Sequence, residues 1–197
     1  RSLAIQSYLR LAALFCTALI CTSPAIAQKK GGTLRLYHND NPPSTSLLEE
    51  STIASVMPFA AVFNNLVTFD PAKVHESIET VIPDLAESWT VSDDGKTFTF
   101  KLKPGVVFAS GNPLTASDVA WSFERAVKLD KSPAFLLTQL GLSGDNVTET
   151  AKAADDHTFV LTVDQPYAPS FVLNVLSSTV GSVVDSVLVK EKAKAVT

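Results

Sequence analysis

The sequence predicts an α+β fold (mixed α/β) in which antiparallel hairpins are covered by helices. Three observations carry this. Thr97 to Lys103 alternates, with Phe98, Phe100 and Leu102 on one face and Thr97, Thr99, Lys101 and Lys103 on the other. Thr158 to Asp164 alternates in the same way, with Phe159, Leu161 and Val163 together. Between them lies a helical stripe, Val119, Phe123, Ala126 and Val127, opened by a capping signal. Each alternating run follows a turn, Asp93-Asp94-Gly95 before the first and Asp155-Asp156 before the second. Two hairpins built on one logic suggest a single antiparallel sheet and not a repeat array.

The bulk numbers bound the answer. The chain has 197 residues, 46% hydrophobic and 18% charged, enough for a core in one domain or in a large part of something bigger. A formal net charge of -4, with no Lys/Arg patch interleaved with aromatics, argues against nucleic acid as a partner.

The N-terminus reads as a secretory signal peptide. Arg1 and Arg10 flank a short basic region, Leu11 to Cys21 forms an apolar core, and Pro24-Ala25-Ile26-Ala27 ends in small residues. Cleavage is expected after Ala27, with periplasmic localisation. The apolar core is short for a retained membrane anchor. A lipoprotein signal is the other rival, but neither Cys16 nor Cys21 follows Leu-x-small. Removing 1–27 takes two of 16 basic residues and none of the 20 acidic ones, which leaves -6. Both cysteines leave with it, so no disulfide, thiol nucleophile or cysteine metal site is expected in the mature part. Because the chain opens on Arg1, its start is expected upstream.

The mature elements follow in order. Gln28 to Gly32 is a flexible lead-in, and Thr33 to Tyr37 reads as a short strand with Leu34 and Leu36 on one side. His38 to Ser46, with Pro42-Pro43, is a loop. Glu49 to Asn65 reads as a helix with a kink or a short break at Pro58, and with Ile53, Val56, Met57, Ala60, Ala61 and Phe63 as its apolar face. Leu66 to Phe69 is a strand, and Glu79 to Glu87 a connector around Pro83. Trp89 to Val91 is the first arm of the hairpin that Thr97 to Lys103 completes. Pro104-Gly105 and Gly111-Asn112-Pro113 bracket a loop. Thr115 is the N-cap of a helix over Ala116 to Leu129, with Asp118 in a capping-box position. Ser132-Pro133 starts a helix through Leu140. Val147 to Ala151 leads into the second hairpin, Ser170 to Leu176 is an apolar helix, Val180 to Val184 a strand, and Asp185 caps a Lys-rich helix.

One stretch of forty residues carries a resemblance. Trp89, then Ser92-Asp-Asp-Gly95-Lys96-Thr-Phe-Thr-Phe-Lys-Leu102, then Pro113-Leu-Thr-Ala-Ser-Asp118-Val119, then Ser122-Phe-Glu-Arg125 resembles the extracytoplasmic solute-binding proteins of family 5. These are the peptide- and nickel-type binding components of ABC importers. Val62 to Val67 and Pro83 to Trp89 share the family's cadence. Ala109 and Ser110 depart from it, which weakens any polar role for that loop while leaving its turns intact. The resemblance implies the first lobe of a two-lobed, type II-like periplasmic binding protein, with the second lobe missing after Thr197. It divides the chain into a signal peptide (1–27), the start of a first-lobe subdomain (28–62), a scaffold subdomain (63–180) and a return to the first (181–197).

Candidate chemistry is sparse. His38, His75 and His157 stand far apart, without spacing for a metal, so no metal or cofactor is expected. The pairs Asp93-Asp94 and Asp155-Asp156 precede strands and read as turn residues, not as acid–base or calcium groups. No nucleophile, P-loop or dinucleotide motif occurs. Trp89 and Trp121 read as core or rim packing, and Phe63 as core. By the family's layout, the loop His38 to Ser46 and the segment Glu49 to Ile53 face the ligand cleft, so Asn41, Glu50, Ser51 and Thr52 are the candidate ligand-binding residues. The resemblance implies a non-enzymatic binding protein for small peptides or other small solutes. It would deliver them to the membrane permease subunits of an ABC importer and be monomeric at full length. The alternative is an exported hydrolase with catalytic residues beyond Thr197.

Overall fold

The computed structural model describes residues 32, 33, 35–38, 40–75 and 77–193. They divide into two units between Tyr37 and His38. The signal peptide expected over 1–27 lies outside the described residues. In the first unit, residues 32, 33 and 35–37 take no regular structure, so the strand expected over Thr33 to Tyr37 is not formed. Leu36 and Tyr37 are 81% and 90% exposed. A strand needs a ladder partner, and the described residues of that unit supply none.

The second unit is built on a four-stranded antiparallel sheet. Its strands are β3 (Ala86–Val91), β4 (Thr97–Leu102), β5 (Ala151–Asp155) and β6 (Thr158–Thr162), in the order β3-β4-β6-β5. The two expected hairpins therefore join through their second arms, Phe98 opposite Leu161 and Phe100 opposite Phe159. Between β3 and β4 the turn places Gly95 at φ +70, a conformation glycine adopts without strain. The alternation maps onto burial as expected: Phe98, Phe100, Phe159 and Leu161 are fully buried.

The helix α2 (Ala116–Leu129) lies over β5 and β6. Its bounds are those read from the sequence, and Val119, Phe123, Ala126 and Val127 face the core. Phe123 meets Phe159 with ring centroids 5.3 Å apart. A buried phenylalanine of this kind stabilises by about 1.5–3 kcal/mol. The Asp118 carboxylate accepts both the backbone N–H (2.9 Å) and the hydroxyl (2.8 Å) of Thr115, the capping pair expected from sequence.

Several elements differ from expectation. The first helix is only α1 (Ile53–Phe59), seven residues with Pro58 inside its last turn. It buries Ala54 and Ser55, whereas Ile53 and Met57 are 71% and 68% exposed. The expected apolar face therefore points to solvent. The hydroxyl of Ser55, donating to Ser44 O at 2.8 Å, satisfies the buried side instead. Phe63, expected in the core, is half-buried.

The connector around Pro83 is in part a strand, β2 (Val81–Pro83), paired antiparallel with β1 (Val67–Phe69). Proline is tolerated there because each strand of a two-stranded sheet has a free edge. The helix after Ser132 shrinks to α3 (Ala134–Thr138). Val147–Thr150 is a helical turn, α4, before β5 begins. Asn146 holds that turn by accepting the Ser143 N–H on its side chain at 2.7 Å.

The apolar helix α5 (Pro169–Ser177) forms as expected, but Val180 to Val184 is not a strand. Its N–H groups find isolated acceptors: Val183 donates to Asn64 O and Val184 to the Ser122 hydroxyl. Scattered acceptors cannot make a ladder. Asp185 then caps α6 (Ser186–Lys192) by accepting the Leu188 N–H at 2.8 Å.

Candidate functional site

The loop from His38 toward α1 is fixed from within. Asp40 accepts the Asn41 N–H at 2.8 Å, Ser44 accepts the Ser46 N–H at 3.0 Å, and the His38 ring donates to Ala54 O at 3.0 Å. Ser46 O then accepts the N–H groups of Glu49 and Glu50, both at 3.1 Å, in a tight turn. Leu47 and Leu48 inside that turn are 2% and 1% exposed and anchor it in the core. The residues that follow are pushed to the surface.

Of the four candidates, Glu50, Ser51 and Thr52 form one contiguous stretch, with Glu50 half-buried and the other two exposed. Thr52 donates its hydroxyl to Glu50 Oε2 at 3.3 Å, and Ser51 shares a 2.6 Å hydrogen bond with the Ser132 hydroxyl. Asn41 is exposed, and no hydrogen bond among the described residues joins it to the other three. Thr52 is the N-cap of α1 but makes no side-chain capping bond, and α1 is too short to act as a dipole site in its own right. What this stretch offers chemically is one carboxylate, two hydroxyls and the apolar side chains of Ile53 and Met57 one turn on.

The partners that hold the stretch come from distant parts of the chain. Glu49, adjacent to Glu50, pairs with Arg125 Nη2 at 2.5 Å, both side chains part-buried. Arg125 lies over the Trp121 ring at 5.9 Å, and Lys190 of α6 lies over the same ring at 5.0 Å. Trp121 is therefore a rim residue carrying two cations, and Trp89 packs on the core with its ring 6.5 Å from Phe100. Neither the Glu49–Arg125 pair nor the Ser51–Ser132 bond has a local sequence signal, since the partners lie 76 and 81 residues apart.

A second feature is a cleft of about 470 Å³, lined by Val62, Phe63, Val106, Phe108, Val184 and Leu188, with Asn64, Ser110 and Asp185 as its polar groups. Here the loop whose polar role Ala109 and Ser110 were expected to weaken still has one. Asp185 Oδ2 accepts the Ser110 hydroxyl at 2.5 Å and the Asn112 amide at 2.9 Å. With the Leu188 N–H as the largest cause and Ser110 next, these bonds hold the Asp185 carboxyl below its ordinary 3.8.

The acidic turn pairs serve their turns. Asp94 is lowered by the Ser92 hydroxyl and then the Lys96 N–H, and Asp155 by Thr158 and then the His157 N–H. Among the described residues no three His, Cys, Asp or Glu side chains gather as a metal site.

Comparison with known proteins fits this geometry into a wider setting. Residues 80–196 match the family model described as bacterial extracellular solute-binding proteins, family 5 Middle. Over 110 residues the chain is 40% identical to the probable D,D-dipeptide-binding periplasmic protein of Escherichia coli K12, covering 56% of this chain and 19% of that protein. Over 175 residues it is 31% identical to the probable di/tripeptide-binding protein 5 of Pseudomonas aeruginosa UCBPP-PA14, covering 81% and 31%. The substrate-binding domain of an oligopeptide ABC transporter from Bacillus anthracis str. Ames superposes with a TM-score of 0.70 at 25% identity, over 80% of this chain and 30% of that one. The chain thus spans about a fifth to a third of the length of the relatives it matches.

Proposed function

The chain belongs to the bacterial extracellular solute-binding proteins of family 5, and on that premise we propose that it is part of the substrate-binding component of an ABC importer for peptides or related small solutes. The observation that carries this reading is the family match over residues 80–196, which takes in the whole four-stranded sheet and α2. Relatives named for dipeptides and for di- and tripeptides favour a short peptide as the solute. The mixed helix-and-sheet fold, matching 30% of the Bacillus anthracis chain, fits part of one lobe of a two-lobed, type II-like binding protein.

In this reading, two lobes close on the solute by a hinge. An extended peptide is held by main-chain hydrogen bonds, much as an added strand would be. Asn41, Glu50, Ser51 and Thr52 are this chain's contribution to the ligand surface. Residues 28–62 start a first-lobe subdomain, 63–180 form the scaffold subdomain with its two hairpins and helices, and 181–197 return to the first. The protein is exported by a signal peptide cut after Ala27, works in the periplasm as a monomer, and hands its solute to membrane permease subunits without chemistry or cofactor. No observation favours the exported hydrolase.

Native mass spectrometry of the complete protein, incubated with an equimolar di- and tripeptide library, tests the proposal. Retention of intact peptides at one per protein is the expected result. Absence of any retained solute, or release of cleaved peptides, overturns it.

A further inference from the structure

The segment carrying three of the four candidate ligand residues has little structure of its own to hold it. The helix that follows, α1, is seven residues long and lacks a side-chain cap, and helices of that length do not persist without tertiary support. Leu47 and Leu48 secure the segment from one side, by burial. On the other side two polar contacts bracket Glu50. Glu49 pairs with Arg125, and Ser51 bonds to Ser132 at 2.6 Å. Both partners come from one place in the scaffold, the C-terminal end of α2 and the turn just after it. Arg125 is itself aimed, because the Trp121 ring lies beneath its guanidinium at 5.9 Å. Glu50, between the two anchors, pairs with no cation among the described residues and receives only the Thr52 hydroxyl.

We propose that Arg125 is a positioning residue for the ligand surface, fixing Glu50, Ser51 and Thr52 through the Glu49 carboxylate, with Ser132 as the second anchor. This rests on the proposed function, in which those three residues meet the solute. Arg125 does not touch the ligand. A planar guanidinium suits the role better than an ammonium, since its fork fixes the direction of the carboxylate as well as its distance. The pair is only part-buried, with side chains 26% and 33% exposed, so it adds little to global stability. Its removal therefore separates positioning from folding.

The test uses the complete protein with Arg125→Met, Arg125→Lys and the charge swap of Glu49→Arg with Arg125→Glu. In the unliganded protein, amide hydrogen exchange is followed at Glu49, Glu50, Ser55 and Val56, whose N–H groups are hydrogen-bonded within this stretch. In parallel, calorimetry measures affinity for a peptide retained from the di- and tripeptide library. Arg125→Met is expected to speed exchange at those four amides, leave exchange in β4 and the urea midpoint unchanged, and weaken binding about two- to fivefold. Arg125→Lys falls between, and the swap recovers most of the loss. Exchange and affinity both at wild-type values in Arg125→Met overturn the inference, as does loss of affinity only in step with loss of stability. Glu50→Ala and Thr52→Ala separate the two readings. If neither weakens binding, the ligand surface itself is misplaced; if they do and Arg125→Met does not, only the positioning role falls. Should no peptide bind, unchanged exchange in Arg125→Met is sufficient to reject it.

Discussion

Replacing Asp118 by alanine should destabilise the second unit by about 2–4 kcal/mol. The carboxylate is 4% exposed and serves two elements at once. Oδ2 takes the N–H and hydroxyl of Thr115 at the start of α2, and Oδ1 takes the Ser186 N–H at 3.1 Å at the start of α6. Losing the helix-start partnership costs about 1 kcal/mol by analogy with cap removal. Leaving the Ser186 N–H buried without an acceptor costs a further 1–3 kcal/mol, roughly. Asp118→Asn keeps one acceptor oxygen and should cost less, about 1–2 kcal/mol. Urea unfolding followed by far-UV circular dichroism gives the energies, and hydrogen exchange at Ser186 locates them. A loss below about 0.5 kcal/mol, the range of ordinary surface changes, would refute the reasoning. So would a Ser186 amide as protected in Asp118→Ala as in the wild type.

Gly141→Ala should fail to fold or lose more than about 2 kcal/mol, because Gly141 sits at φ +85 and a Cβ there would lie 2.4 Å from Asp164 Cβ; a thermal melt decides. Ile53→Asp and Met57→Asp should stay within about 0.5 kcal/mol of wild type, while Ala54→Asp, on the buried side of the same helix, should unfold it. Circular dichroism of the three variants checks which face is inside. Asp185 gives a pH signature. Its folded carboxyl lies below the ordinary 3.8, so in the window below that value the unfolded chain binds more protons. Its contribution is complete above 3.8 and is lost as pH falls through the folded value. The difference in urea midpoint between wild type and Asp185→Asn should therefore hold steady above 3.8 and shrink as pH falls below it; a difference that stays constant into that acid range contradicts the assignment.

Elements whose information is local were legible in the sequence. The β4 and β6 alternation, the Thr115 and Asp185 caps and the stripe of α2 each depend on residues a few positions apart, and all are found, with the strands ending at Leu102 and Thr162 and not at Lys103 and Asp164. The failures share a different cause. Ile53, Met57 and Val56 have helical spacing, but which side of α1 is inside depends on Leu47, Leu48 and the Ser55–Ser44 bond, and spacing alone says nothing of that. β2 was hidden by Pro83, which disfavours a central strand but not one with a free edge. At the candidate site, Glu50, Ser51 and Thr52 could be named from family layout, whereas Arg125 and Ser132 could not. Their partnership crosses 76 and 81 residues, and no local pattern encodes it.

The order β3-β4-β6-β5 also dictates a sequence of events in time. Each hairpin closes over a short turn and can nucleate alone within microseconds. The sheet does not exist until β4 finds β6, where the Lys101 amine donates to the Thr158 hydroxyl across 57 residues. Closing that span costs roughly 2 kcal/mol more entropy than closing a six-residue loop. Until α2 and β6 have emerged, a β3–β4 hairpin in a nascent chain has one naked apolar face and is marginal by itself. That waiting period is when the apolar face is most open to misassembly.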